Sequence, residues 1–226
     1  LAGYMAALGH EVRIAELNPR TIADLQKTKR IQLTGCLQCS GSLALITNDS
    51  TLAASGADLI MVATTATAHS VLARQLAPVI ADGQIIILNP GRTGGALEFH
   101  NTLTQCGVTK RYYLAEAQTL VYACRLIESG HVNIIGIKDK VLLCALPASD
   151  TAYVIEKIHS LFPCFTECKN VLVTSLENYG AVFHPSVVLF NAAAIERGNS
   201  FYFYREMTPQ IADFIEQLDA ERVAVG

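Results

Sequence analysis

Strand-sized apolar runs alternate with stretches of helical periodicity through the first half of the chain, and that alternation limits the fold more than any other feature. Residues 12–17, 58–63 and 85–88 read as strands, whereas residues 21–29, 51–55, 67–80 and 95–105 read as helices. The runs at 59–63 and 85–88 are apolar at every position rather than every second one, as a strand covered on both faces requires. Helix-length connections carry a chain across a sheet into parallel strands. The expected fold class is therefore α/β, with a Rossmann-like doubly wound sheet.

Downstream the pattern changes. Residues 113–116, 123–127, 132–137 and 141–145 read as strands that extend the same sheet with antiparallel character. A helix over 150–161 follows, capped by Ser149 or Asp150. Residues 163–170 read as a link, and beyond it the pattern is helical, over 176–195 and 209–225. This predicts an NAD(P)-binding domain over residues 1–162 and the start of an all-helical substrate domain over 163–226. The opening Leu1-Ala-Gly-Tyr-Met-Ala-Ala-Leu-Gly9 reads as a helix closed by glycine, which in a doubly wound fold follows a strand and a glycine-rich turn. The tail from Asp219 stops inside a helical pattern. An internal portion of a longer protein is the expected source of both features.

Composition narrows the function classes. Only 16% of the 226 residues are charged and the formal net charge is -3, so nothing suggests a nucleic-acid surface. No apolar run reaches the roughly 18 residues that a membrane span needs. Seven cysteines, an odd number, read as reduced packing thiols, which predicts a reducing, cytoplasmic setting. The pair Cys36 and Cys39 has metal-ligand spacing, but nothing completes a ligand set, and no metal is expected.

In doubly wound sheets ligands lie at the carboxyl ends of the strands. Glu16 closes one such strand, where a carboxylate can accept from a ribose 2′-hydroxyl and repel a 2′-phosphate; NAD is favoured, and Asn18 and Arg20 keep NADP open. Ala63, Thr64 and Thr65 close the next, with small side chains that let a dinucleotide approach and hydroxyls that reach phosphate or ribose, or that serve as a plain helix cap. Asn89, Pro90 and Gly91 close a third, in a turn whose backbone amides could line a nicotinamide ring. Arg92, in the same turn, is a cation for a substrate carboxylate. His184, in Glu177-Asn-Tyr-Gly-Ala-Val-Phe-His-Pro185, is the candidate acid–base group. Asn178 lies six residues before it and Asn191 seven after, which on one continuous helix would aim two amides with the imidazole.

The run Ser175-Leu-Glu-Asn-Tyr-Gly-Ala-Val-Phe-His-Pro185, with Asn191-Ala-Ala, Thr208-Pro209 and Asp219-Ala-Glu-Arg222, resembles the helical domain of the opine dehydrogenases. Gly9-His-Glu-Val and Gly83-Gln-Ile-Ile-Ile-Leu-Asn-Pro-Gly91 resemble their nucleotide domain. The resemblance implies an NAD(P)-dependent oxidoreductase acting on CH–NH donors. Such an enzyme condenses an amino acid with a 2-oxo acid such as pyruvate and reduces the imine to a secondary amine dicarboxylate. It implies His184 as the acid–base residue, with a partner aspartate beyond Gly226. Gln118-Thr119-Leu-Val-Tyr-Ala-Cys124 resembles the strand that contacts the amino-acid substrate, making Gln118, Thr119, Cys124, Asn178 and Asn191 the substrate candidates. Small molecules are the expected partners, with a homodimer compatible. Two other readings stay open. One is a related two-domain dehydrogenase of hydroxy or keto acids, against which stands the lack of any lysine between Asn170 and Gly226. The other is a non-catalytic nucleotide-binding protein.

Overall fold

The structure is a computed structural model that describes residues 1–225. It opens with α1 (Ala2–Ala7), β1 (Arg13–Ala15), α2 (Pro19–Thr28), β2 (Arg30–Gly35), β3 (Cys39–Ser42), β4 (Leu45–Thr47) and α3 (Ser50–Ala54). The centre holds β5 (Leu59–Val62), α4 (His69–Leu76), β6 (Ile85–Leu88), α5 (Gly95–Gln105) and β7 (Tyr113–Ala117). Then come β8 (Tyr122–Glu128), β9 (His131–Ile137), β10 (Val141–Leu146), α6 (Thr151–Ile158) and β11 (Phe165–Glu167). The chain closes with α7 (Val171–Leu176), α8 (Gly180–Phe190), α9 (Ala192–Glu196) and α10 (Pro209–Val225).

The central sheet has the order β11-β10-β7-β6-β5. β5, β6 and β7 run parallel, and β10 joins β7 antiparallel. Alternate residues of β6 face opposite layers, which explains its unbroken apolar sequence. Ile86 and Leu88 pack with Leu76 of α4 and with Phe99 and Leu103 of α5. Ile85 and Ile87 pack with Val154 and Ile158 of α6 and with Met5 of α1. Both faces are dry, as the sequence pattern requires. β1 and β4 pair parallel with each other and form no ladder to the central sheet among the described residues.

The structure corrects the expectation of one extended sheet over residues 113–145. Only β7 and β10 join the central sheet; β8 and β9 form a second one, of order β3-β2-β9-β8. The strand β3, Cys39-Ser-Gly-Ser42, carries small, mostly polar side chains and no apolar alternation. Its smallness serves α1: a Cβ on Gly41 would collide with the Gly3 carbonyl and lie 2.5 Å from the Ala6 Cβ. The helix thus sits almost backbone to backbone on the strand.

Three further expectations change. Residues 163–170 are more than a link, since β11 lies within them and pairs parallel with β10. Neither Ser149 nor Asp150 caps α6 through its side chain; the Asp150 carboxylate takes both oxygens to Arg111 Nη2, at 2.7 and 2.8 Å. The continuous helix over 176–195 is three helices. Asn178 leaves the first break to bond Thr93, and the Asn191 amide donates to the Val187 carbonyl at 2.9 Å, ending α8. At the second break a side-chain amide competes with the helical ladder for a carbonyl and wins. No helix among the described residues is long and apolar enough to cross a membrane.

Candidate active site

The carboxyl ends of β5, β6 and β7 face one rim, as the parallel order requires. After β5, Ala63, Thr64 and Thr65 are exposed, with the Thr65 and Thr67 hydroxyls 3.0 Å apart. After β6, Asn89, Pro90 and Gly91 are buried. The backbone amides expected to line a ring are already engaged: Asn89 N–H donates to the Val62 carbonyl and Gly91 N–H to that of Ala117. What remains unpaired there is the Asn89 side chain, fully buried with neither amide atom bonded among the described residues. Buried polar atoms are rarely left so, because an unpaired one costs about 1–3 kcal/mol.

Glu16 lies just past β1. Its carboxylate accepts from Asn18 N–H at 2.8 Å, and Asn18 Oδ1 accepts from Arg20 N–H, so the acid fixes the turn into α2. Beside it a shallow cleft of about 310 Å³ is lined by Leu17, Pro19, Ile22, Ile46 and Thr47, among others.

On the helical side, Asn178 and His184 converge. A Cβ added to Gly180 would lie 3.3 Å from His184 Nδ1 and 3.5 Å from Asn178 Oδ1, so glycine leaves room for both. His184 is exposed, its ring flanked by Phe183 and Phe203 at centroid distances of 5.5 and 5.2 Å. Its Nδ1 lies 3.2 Å from the Gly180 carbonyl. A proton on Nδ1 is then donated inward, which leaves Nε2 with its lone pair toward solvent. Asn178 reaches across the seam: its Nδ2 donates to Thr93 Oγ1 at 3.1 Å, and its Oδ1 accepts from Arg92 Nη1 at 3.4 Å. Arg92 itself holds a left-handed backbone, φ 62°, which turns its side chain out of the strand direction.

Gln118 and Thr119 follow β7 at the same rim. Gln118 Nε2 donates to Glu177 Oε2 at 3.3 Å, and Thr119 Oγ1 accepts from Lys138 Nζ at 2.8 Å. Burial pulls the Lys138 ammonium below its ordinary value, and the Arg92 guanidinium adds to the effect. The two charges thus repel each other, and neither cation has a carboxylate partner among the described residues.

Asn191 and Cys124 make no hydrogen bond to this group among the described residues. Asn191 closes α8, the helix that carries His184, with its amide tied to the Val187 and Glu206 carbonyls, whereas Asn178 lies outside that helix. Cys124 is exposed on β8, opposite Ile134 in the second sheet.

Residues 167–226 match the family model described as "NAD/NADP octopine/nopaline dehydrogenase, alpha-helical domain". The whole chain aligns with the opine dehydrogenase of Arthrobacter sp. (strain 1C), at 37% identity over 233 residues and 63% of that protein's length. The chain is thus similar to the opine dehydrogenases along its whole length. An octopine dehydrogenase solved with NADH and L-arginine superposes with a TM-score of 0.74 at 22% identity, over 94% of this chain and 56% of that one. A yersinopine dehydrogenase solved with NADP+ superposes with a TM-score of 0.64 at 14% identity, over 79% and 46% of the two chains. The chain therefore spans about half to three-fifths of the length of these relatives.

In this chain the Asp219 and Arg222 motif is a brace. Arg222 pairs with Asp219 at 2.7 Å, donates to the Leu176 carbonyl at 2.9 Å and lies 4.6 Å from the centre of the Tyr179 ring. It holds α10 against the turn that presents Asn178. Sequence reasoning missed three residues at the seam. Lys138 is one of two lysines in the Lys138-Asp-Lys140 segment after β9, Thr93 sits in an ordinary turn, and Glu116 is an acid between two alanines of β7. Only Glu116 carried a signal, a charge inside an otherwise apolar run.

Proposed function

We propose that this chain forms the nucleotide-binding part and the first helices of an NAD(P)-dependent opine-type dehydrogenase. Its reaction joins the amine of an amino acid to the carbonyl of a 2-oxo acid with loss of water, then reduces the resulting imine to a secondary amine dicarboxylate. The observation that carries this reading is the meeting of His184, Asn178 and Arg92 at the carboxyl ends of β6 and β7.

The rim fits a dinucleotide. Glu16 beside the cleft suits an adenosine, the exposed Thr64 and Thr65 suit its phosphates, and the unpaired Asn89 amide suits a carboxamide. The octopine and yersinopine relatives solved with NADH and NADP+ support NAD, with NADP as the alternative. When bound, the reduced nicotinamide supplies the hydride.

The chain's own groups do the rest. Arg92 and Lys138 hold substrate carboxylates, and each neutralised charge relieves the mutual repulsion of the two cations. Thr119 aims the Lys138 ammonium, and Asn178 aims the Arg92 guanidinium. Gln118 is held at the same rim by Glu177 and offers an amide to the substrate. His184 Nε2 takes a proton as the amine attacks and returns one as water departs, with Gly180 fixing its tautomer. The test is NADH oxidation by the intact protein, followed at the nicotinamide absorbance with panels of amino acids and 2-oxo acids. We expect oxidation only when both partners are present. Oxidation by a 2-oxo acid alone, at the same rate, would replace this reading with a hydroxy-acid dehydrogenase.

A further inference from the structure

Glu116, the penultimate residue of β7, is fully buried, and no lysine or arginine pairs with it among the described residues. Three donors surround it instead. Oε1 accepts from the Thr174 hydroxyl and from the Ser175 hydroxyl, the latter at 2.9 Å. Oε2 accepts from Ala96 N–H at 2.8 Å. A carboxyl so placed costs the fold desolvation, and a well-packed apolar residue would be the cheaper filling for a mere core position. Its retention therefore calls for a geometric task.

The task is legible in what the same atoms hold. Ser175 Oγ, while donating to Glu116, accepts from Gly94 N–H at 3.0 Å, and the Ser175 carbonyl accepts from Thr93 Oγ1 at 3.3 Å. Thr93 Oγ1 in turn accepts from Asn178, which accepts from Arg92. Gly91 presses on the acid so closely that a Cβ there would lie 2.5 Å from the Glu116 Cβ and from Oε2. One carboxyl thus joins the turn after β6, the N-terminus of α5 and the end of α7.

We infer that Glu116 is a positioning residue: it locks the turn carrying Asn89, Gly91 and Arg92 to the helix end carrying Asn178, and so sets the crevice in front of His184. The inference rests on the proposed reaction for its kinetic consequence, but its structural consequence can be read without it. Glu116→Gln removes one of the two acceptor oxygens, and Ser175→Ala removes the bridge from that acid to Gly94.

The experiment compares the intact wild-type protein with E116Q, S175A and the double variant. Three quantities are read: NADH dissociation constant by fluorescence, kcat and KM for the acid substrates, and hydrogen exchange of backbone amides. Each single variant is expected to lower kcat/KM by about tenfold or more through misplaced groups, with NADH affinity changed less than about twofold. A fault of stability alone would reduce the amount of active protein and leave KM unmoved. Because both act on one chain of bonds, the double variant should be no worse than the poorer single variant. Defects that multiply, or a kcat/KM within twofold of wild type in E116Q, would overturn the inference. If the wild type oxidises no NADH with any substrate pair, the proposed reaction fails, and the exchange arm decides by itself. Faster exchange at Gly94 and Ala96 in E116Q then supports the lock, and unchanged exchange at both refutes it.

Discussion

Glu116 and His184 flank the same seam and are solvated in opposite ways. The acid is fully buried, with each oxygen accepting from hydroxyl or amide donors. The imidazole stands exposed between two phenyl rings, with one nitrogen turned to a carbonyl and the other without a protein partner among the described residues. The contrast shows how a seam can be both precise and reactive. Where position has to be fixed, polar atoms are dried and filled, because buried hydrogen bonds tolerate little displacement. Where a proton has to move, the group keeps water and an unengaged lone pair.

The contrast can be broken most severely on the dry side. Phe99 is fully buried on α5, the helix whose first turn Glu116 holds. Phe99→Ala should cost about 3–5 kcal/mol in urea unfolding, as large-to-small core changes do. A loss below about 1 kcal/mol would mean that this layer is loosely packed and cannot define the seam. Gly91→Ala comes next. Its methyl would meet the Glu116 Cβ, which cannot swing away, so about 1–3 kcal/mol of overpacking strain should appear in thermal melts. An unchanged melting temperature would show that the turn moves freely past β7.

The wet side should respond in binding rather than in stability. Lys138→Met is expected to raise KM for a carboxylate substrate by about tenfold, the usual weight of one charge-assisted contact, while the melting temperature holds. A fall in melting temperature with KM unaltered would move Lys138 to the structural side.

The smallest expected effect is a pH dependence. Burial raises the Glu116 carboxyl above its ordinary value, and the three donors offset only part of the rise. The folded protein therefore holds that proton more tightly than the unfolded chain does. The stability it contributes is complete below the ordinary value of 4.5 and is lost as pH rises through the higher folded value. The other titratable group coupled to this pocket is the Cys168 thiol, which burial pushes up to about 12, so it stays neutral throughout. In E116Q the decline over that window should vanish; a decline that persists would have to come from other groups.

The sequence was legible where one physical demand ruled. β6 and α5 were read with their observed limits, because four buried apolar residues and a helix between glycine and a second glycine leave little choice. β3 was illegible because its small polar residues answer to α1, a neighbour that period-two patterning does not register. β11 was hidden because three residues pair at a sheet edge without an alternating pattern of their own. At the seam the sequence offered Arg92, Asn178 and His184, residue types whose chemistry declares itself. It withheld Lys138 and Glu116, which matter through the partners that the fold brings to them.

The most direct test of the account is single-turnover hydride transfer in the intact protein carrying His184→Gln, with NADH affinity measured on the same sample. The account predicts transfer slower by about 10²-fold or more, the weight of a general acid–base, with NADH binding unchanged. Transfer within about twofold of wild type would contradict it.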